Sequence, residues 1–177
     1  SGVCVDNVRV TQDPGRTTPK TFYVSQSQGN DSNNGISEAA AWQGFSNFRT
    51  VRLIPGDKVL LKRGDVWNEE LHLWGTGNSS NMIELSCYGS GPRPKIERVD
   101  KVWDRCVVIE SPSYWKINNL DLRTAKVGIY LRYVQSVLNY NVEITDCYFQ
   151  DIDQVEIFDP ANYNYELSFN AGSMIGG

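Results

Sequence analysis

The sequence predicts an all-β protein wound as a coiled stack of short strands, a β-solenoid. Three observations predict it. Short apolar runs recur at regular spacing. Turns rich in Gly, Asn, Asp and Pro separate them. One stretch also repeats: "YWKINNLDLRTAKVGIYL" from Tyr114 matches "NVEITDCYFQDIDQVEIF" from Asn141. Ile117 aligns with Ile144, Asn119 with Asp146, Leu120 with Cys147 and Leu122 with Phe149. A period in the twenties with no helix between its strands indicates stacked coils rather than hairpins.

Residues 1–20 are turn-rich and read as an N-terminal arm, followed by coils over 21–177 as one domain. "TFYVS" (21–25) is a strand by its β-branched and aromatic content. "QGNDSNNG" (28–35) is a polar turn. Ser37 is placed to cap a short helix running to Trp42 through three alanines. Trp42, Phe45 and Phe48 share one face of this segment. Further strands are predicted at 58–62, 70–74, 82–88, 95–99, 105–110, 114–123, 127–132, 141–150 and 165–169. Two Gly-Asp steps, Gly56-Asp57 and Gly64-Asp65, mark corners: the glycines permit the bend and the aspartates bond backbone amides.

The chain has 177 residues and a net charge of −4, with a pI near 5.0. An acidic balance excludes nucleic acid as the main partner, because phosphate binding needs a basic footprint. No window is apolar enough to span a membrane. Cys4, Cys87, Cys106 and Cys147 form no close pair, and His72 is the single histidine. No zinc site or cofactor motif is therefore predicted. The cysteines are either buried thiols or one or two disulfides. Sequons at Asn30 and Asn78 favour a secreted protein slightly.

The segment Phe22 to Leu73 resembles the N-terminal coils of secreted right-handed parallel β-helix proteins. Their turn "YVS-x-x-G-x-D-x-N-x-G" leads to a capping helix and then "PGD-x-V-x-[LF]-x-x-G". This sequence keeps Tyr23-Val24-Ser25, Gly29, Asp31, Asn33, Gly35, Trp42, Pro55-Gly56-Asp57, Val59, Leu61 and Gly64. "MIELSCYGSGPRPKIE" is similar to the coil that follows, with Met82 where a Pro is common. The group includes polysaccharide lyases, glycoside hydrolases and epimerases. The resemblance implies a right-handed parallel β-helix with a short N-terminal capping helix. It also implies secretion and a polysaccharide or glycan partner, without fixing a reaction. Such enzymes have more coils than this length supplies, so a continuation or a second chain stacked on the last coil is expected; a self-capped domain is the alternative.

Within that group the chemistry would fall to carboxylates, since glycoside hydrolysis needs two at a set separation. The acidic run after the second repeat offers Asp146, Asp151 and Asp153 as catalytic candidates. Each has a plain reading beside it, as a turn or ladder residue, and Glu156 and Asp159 read as solvent-facing. Tyr114, Trp115, Tyr130 and Tyr133 are candidates for stacking on sugar rings, and Arg132 for an acidic sugar. Three functions are weighed: a carbohydrate-active hydrolase or lyase, a non-catalytic carbohydrate-binding or adhesive module, and a structural subunit completed by a partner chain.

Overall fold

A computed structural model describes residues 15–99, 102–133, 141–158 and 165–167, with side chains to residue 153. Among the described residues, the strands form two sheets. The first sheet holds β1 (Thr21–Val24), β2 (Lys58–Lys62), β5 (Ile83–Tyr88), β8 (Trp115–Asn118) and β10 (Val142–Thr145), side by side in that order. The second orders β3 (Val66–Trp67), β6 (Lys95–Glu97), β9 (Asp121–Arg132), β11 (Tyr148–Phe158) and β12 (Tyr165–Leu167). A side branch runs from β4 (Leu71–Trp74) through β7 (Arg105–Glu110) to β9. Every pairing of these strands is parallel except β11 with β12, which is antiparallel.

The register expected from the repeat is present. Ile117 stands opposite Ile144, and Leu122 opposite Phe149. The two long predicted strands are each broken at the same place. Asn119 (φ 59°) and Asp146 (φ 53°) turn the chain with left-handed backbone. Thr124 (φ 53°) and Asp151 (φ 55°) bend β9 and β11 in the same way. The predicted strand at 127–132 is the far half of β9, and the short β3 lies outside every predicted strand.

The regular right-handed β-helix with a capping helix is not what the chain forms. Successive strands of the first sheet are not evenly spaced along the chain. Thr21 pairs with Lys58, Lys58 with Glu84, Ile83 with Trp115 and Trp115 with Val142, so the connecting length changes at every step. In the second sheet β9 pairs with β6 along residues 121–123 and with β7 along 127–132. One strand thus spans two predecessors, and the sheet curls at the Thr124 bend. The result is two curled sheets rather than uniform coils.

The capping helix is replaced by two 3₁₀ turns, Glu38–Ala40 and Ser46–Thr50. Ser37 Oγ does accept from the Ala40 N–H, as its capping role predicts. Ala41 is already extended, and Trp42 bridges to Val24 as a strand would. Nucleating a helix over so few residues is costly. The sheet bonds Trp42 N–H to Tyr23 O and Ser25 N–H to Trp42 O are available instead.

One core lies between the sheets. Val59, Leu61, Leu85 and Ile117 meet Leu71, Leu73, Ile96, Leu122 and Ile129 within it. At its N-terminal end the predicted aromatic face is buried: Phe22 stacks on Trp42 at 5.4 Å, and Phe45 on Trp67 at 5.4 Å. The Gly-Asp corners behave as predicted. Asp57 is fully buried, accepts from the Lys20 and Ile54 amides, and is ion-paired with Arg16. Asp65 accepts from Ser25 Oγ and the Ser27 amide. Gly56 and Gly64 take φ of 87° and 86°, where a side chain would be strained.

Candidate functional site

Asp146, Asp151 and Asp153 are all exposed. Asp146 occupies the corner between β10 and β11, and Asp151 the bend within β11. Ile152 points inward to the core, so Asp151 and Asp153 project outward on either side of it. One repeat earlier, in the preceding strand, the equivalent positions are Asn119, Thr124 and Lys126. The three carboxylates therefore follow one strand edge, each on a position that the previous repeat fills without an acid.

The aromatic candidates divide. Trp115 is fully buried, and its indole N–H donates to Gly75 O at 2.9 Å. Tyr133 is buried as well, with its hydroxyl donating to Pro112 O at 2.6 Å. Both pack the core, and their ring faces do not meet solvent. Tyr114 is half-buried at a left-handed corner (φ 55°). Tyr130 is half-buried, with the Arg105 guanidinium 4.6 Å above its ring. Arg132 is exposed and donates to Glu110 Oε1 at 3.1 Å. Cys4, Tyr140, Asp159 and Tyr163, with the side chains of Glu156 and Tyr165, lie outside the described residues.

The Arg132 contact belongs to a cluster the sequence does not disclose. On the outer face of β4, β7 and β9, His72 stands in line with Val108 and Tyr130, and Glu110 in line with Arg132. His72 Nε2 lies 3.2 Å from Glu110 Oε1, and its Nδ1 lies 3.6 Å from Glu70 Oε1. The Glu70 carboxylate is the first cause that raises the His72 pKa, and Glu110 adds to it against the opposing effect of burial. Both carboxylates favour the imidazolium, although Glu110 is the nearer. Glu110 Oε2 is buried without a hydrogen-bond partner among the described residues. The group ties three strands together by charge. No period in the sequence signals it, because its members come from three strands joined by connections of unequal length.

Arg123 forks onto Asp121 at 2.7 and 2.8 Å and lies 5.3 Å over the Tyr148 ring, so its charge is already engaged. Cys87, Cys106 and Cys147 are free thiols rather than disulfides. Burial pushes Cys106 up to about 12 and Cys147 to about 11, which keeps both as unreactive thiols. Among the described residues, no group of three His, Cys, Asp or Glu side chains is placed to hold a metal ion.

The chain has counterparts among known proteins. It is similar to a lacto-N-biosidase of Bifidobacterium longum subsp. longum. The two are 30% identical over 155 aligned residues, which take in 79% of this chain and 9% of the relative. Two crystal structures of a GH136 lacto-N-biosidase from Eubacterium ramulus share the fold. The selenomethionine form superposes with a TM-score of 0.67 at 22% identity, over 75% of this chain and 27% of the other. The native form gives 0.53 at 19% identity, over 78% and 32%. The chain thus spans under a tenth of its curated relative and about a third or less of the solved chains. No family model matches it.

Proposed function

We propose that this chain is part of a glycoside hydrolase that acts on glycans containing lacto-N-biose, with the Asp146–Asp153 edge as its acidic centre. The observation that carries the reading is the 30% identity with lacto-N-biosidase over 155 residues. The exposed carboxylates support it. Glycosidases work with two carboxyl groups about 5–5.5 Å apart for retention or about 6.5–9.5 Å for inversion. Asp151 and Asp153 flank the inward Ile152 on the outer side of β11, with Asp146 one corner away. One carboxyl protonates the leaving oxygen while another activates water or attacks the anomeric carbon. Tyr114, Tyr130 and Arg132 are the surface candidates for holding flanking sugars.

The same reading makes the protein extracellular. It also includes a further layer of strands against β10 and β11, from a continuing chain or a second chain. The half-buried Val142, Ile144, Cys147 and Phe149 support that layer, because their equivalents in the preceding strands are fully covered.

Incubation of the intact native protein with lacto-N-biose-containing oligosaccharides tests the proposal. Hydrolysis releases saturated sugars, whereas a lyase leaves an unsaturated ring. Asn substitution at the carboxylates that act lowers kcat by about 100-fold or more without loss of folding. Wild-type rates in Asp146→Asn, Asp151→Asn and Asp153→Asn together would remove this edge from the chemistry.

A further inference from the structure

Trp103 is the most exposed large apolar side chain among the described residues, at 78%, and Val99 (73%) and Val102 (57%) are exposed as well. A loop that leaves an indole in water is informative when it is anchored, and this one is. Asp104 accepts from Arg98 Nη2 at 3.2 Å and from the Val99 amide at 3.3 Å. Its carbonyl accepts from the amides of Lys126 and Val127 at 3.0 and 3.2 Å. The indole is thus displayed from a turn pinned to the bend of β9.

The Lys126 ammonium lies 5.9 Å from the Trp103 ring centroid. In the next strand the residue in line with Lys126 is Asp153, because Ala125 pairs with Ile152 and Val127 with Gln154 on either side. Trp103, Lys126 and Asp153 therefore form a row across the outer surface: an apolar plate, a donor and an acceptor.

We propose that this row is a pyranose-stacking subsite beside the acidic edge, with one sugar ring lying on Trp103, its hydroxyls meeting Lys126, and the glycan running on along the row toward Asp153. The assignment rests on the glycan-hydrolase reading for its ligand class. A pyranose presents an apolar C–H face and a polar rim, which is the pattern of this row. A protein partner would call for a broad apolar patch, whereas the few exposed apolar side chains here share the segment with the Arg98–Asp104 pair, and the Trp103 ring has Lys126 against it. Trp103 touches no reacting atom in this scheme and contributes through binding.

The test uses the intact native protein, with calorimetric Kd for lacto-N-biose as the probe and KM for hydrolysis of a lacto-N-biose-containing oligosaccharide as readouts. Trp103→Ala is expected to raise both by about three- to tenfold, the scale of one aromatic contact, with kcat nearly unchanged. Trp103→Phe restores most of the loss. The site is exposed, so both variants fold. Unchanged Kd and KM in Trp103→Ala overturn the subsite and leave the hydrolase reading standing. Binding that weakens in Trp103→Ala, in a wild-type protein that cleaves no glycan, supports the subsite while the hydrolase reading fails. Loss of self-association or of a protein partner in Trp103→Ala, with sugar binding intact, also overturns it.

Discussion

The β1–β2 layer and the β10–β11 layer both place aspartates at their corners, in opposite environments. At the N-terminal layer Asp57 is sealed from water, and its oxygens are taken by Arg16 and two backbone amides. Aromatic rings pack beside it. At the β10–β11 layer the corner aspartates Asp146 and Asp151 face solvent, and the inward Ile144, Cys147 and Phe149 near them are only half-covered. The residue type is constant and the environment differs. The buried aspartate with fixed donors holds structure, whereas the two at the strand edge lie in contact with water.

That contrast can be broken most directly at the aspartates. Asp57→Ala removes the carboxylate paired with the nearly buried Arg16 guanidinium, and is expected to cost about 3–5 kcal/mol. Asp153→Ala, on the exposed edge, should stay within about 0.5 kcal/mol. Urea unfolding of the two variants reads the difference directly, and equal costs would end the distinction. The apolar partners sharpen it. Ile117→Ala in the covered layer should cost about 2–5 kcal/mol, and Ile144→Ala about 1–2 kcal/mol, because its side chain has less apolar surface to lose from burial. If Ile144→Ala in the intact native protein costs as much as Ile117→Ala, a further layer covers it.

The smallest expected effect is pH-dependent. His72 has its folded pKa raised above the ordinary value of about 6.5 by Glu70 and Glu110. Its contribution is therefore fully present below about pH 6.5 and is lost as pH rises through the folded pKa. Half-exposure to solvent keeps it small. Urea midpoints between pH 5 and 8 should decline through that window in the wild type and lie flatter in His72→Gln. Matching slopes would show that the cluster has no energetic coupling.

How much of this is legible in the sequence depends on distance along the chain. The alignment of Ile117 with Ile144 and Leu122 with Phe149 is visible, because neighbouring repeats keep both length and in–out alternation. The Gly-Asp corners are visible because turn chemistry is local. Ser37 suggests a helix that does not form, because capping and alanine propensity are weak against the sheet bonds that claim Trp42. The curled two-sheet form escapes because strand spacing varies and because β9 pairs with different predecessors on the two sides of Thr124, which no short window shows. Trp115 and Tyr133 look available because polar neighbours in sequence do not report which face of a strand is covered. The Glu70–His72–Glu110–Arg132 cluster needs the cross-strand register, which no short window contains.

The left-handed corners at Tyr114, Asn119 and Thr124 recur at Asn141, Asp146 and Asp151, each one repeat further on. Chain growth in this region is thereby quantised. A tandem duplication of one whole unit adds strands that land on the same bends, whereas a deletion of a single residue would turn a strand's inner side chains outward. Exchange between neighbouring copies meets little conformational resistance where Asn and Asp alternate, since both tolerate this backbone better than most residues. Acidic groups can thus be gained or lost at prepared positions by mutation, with the scaffold left as it was.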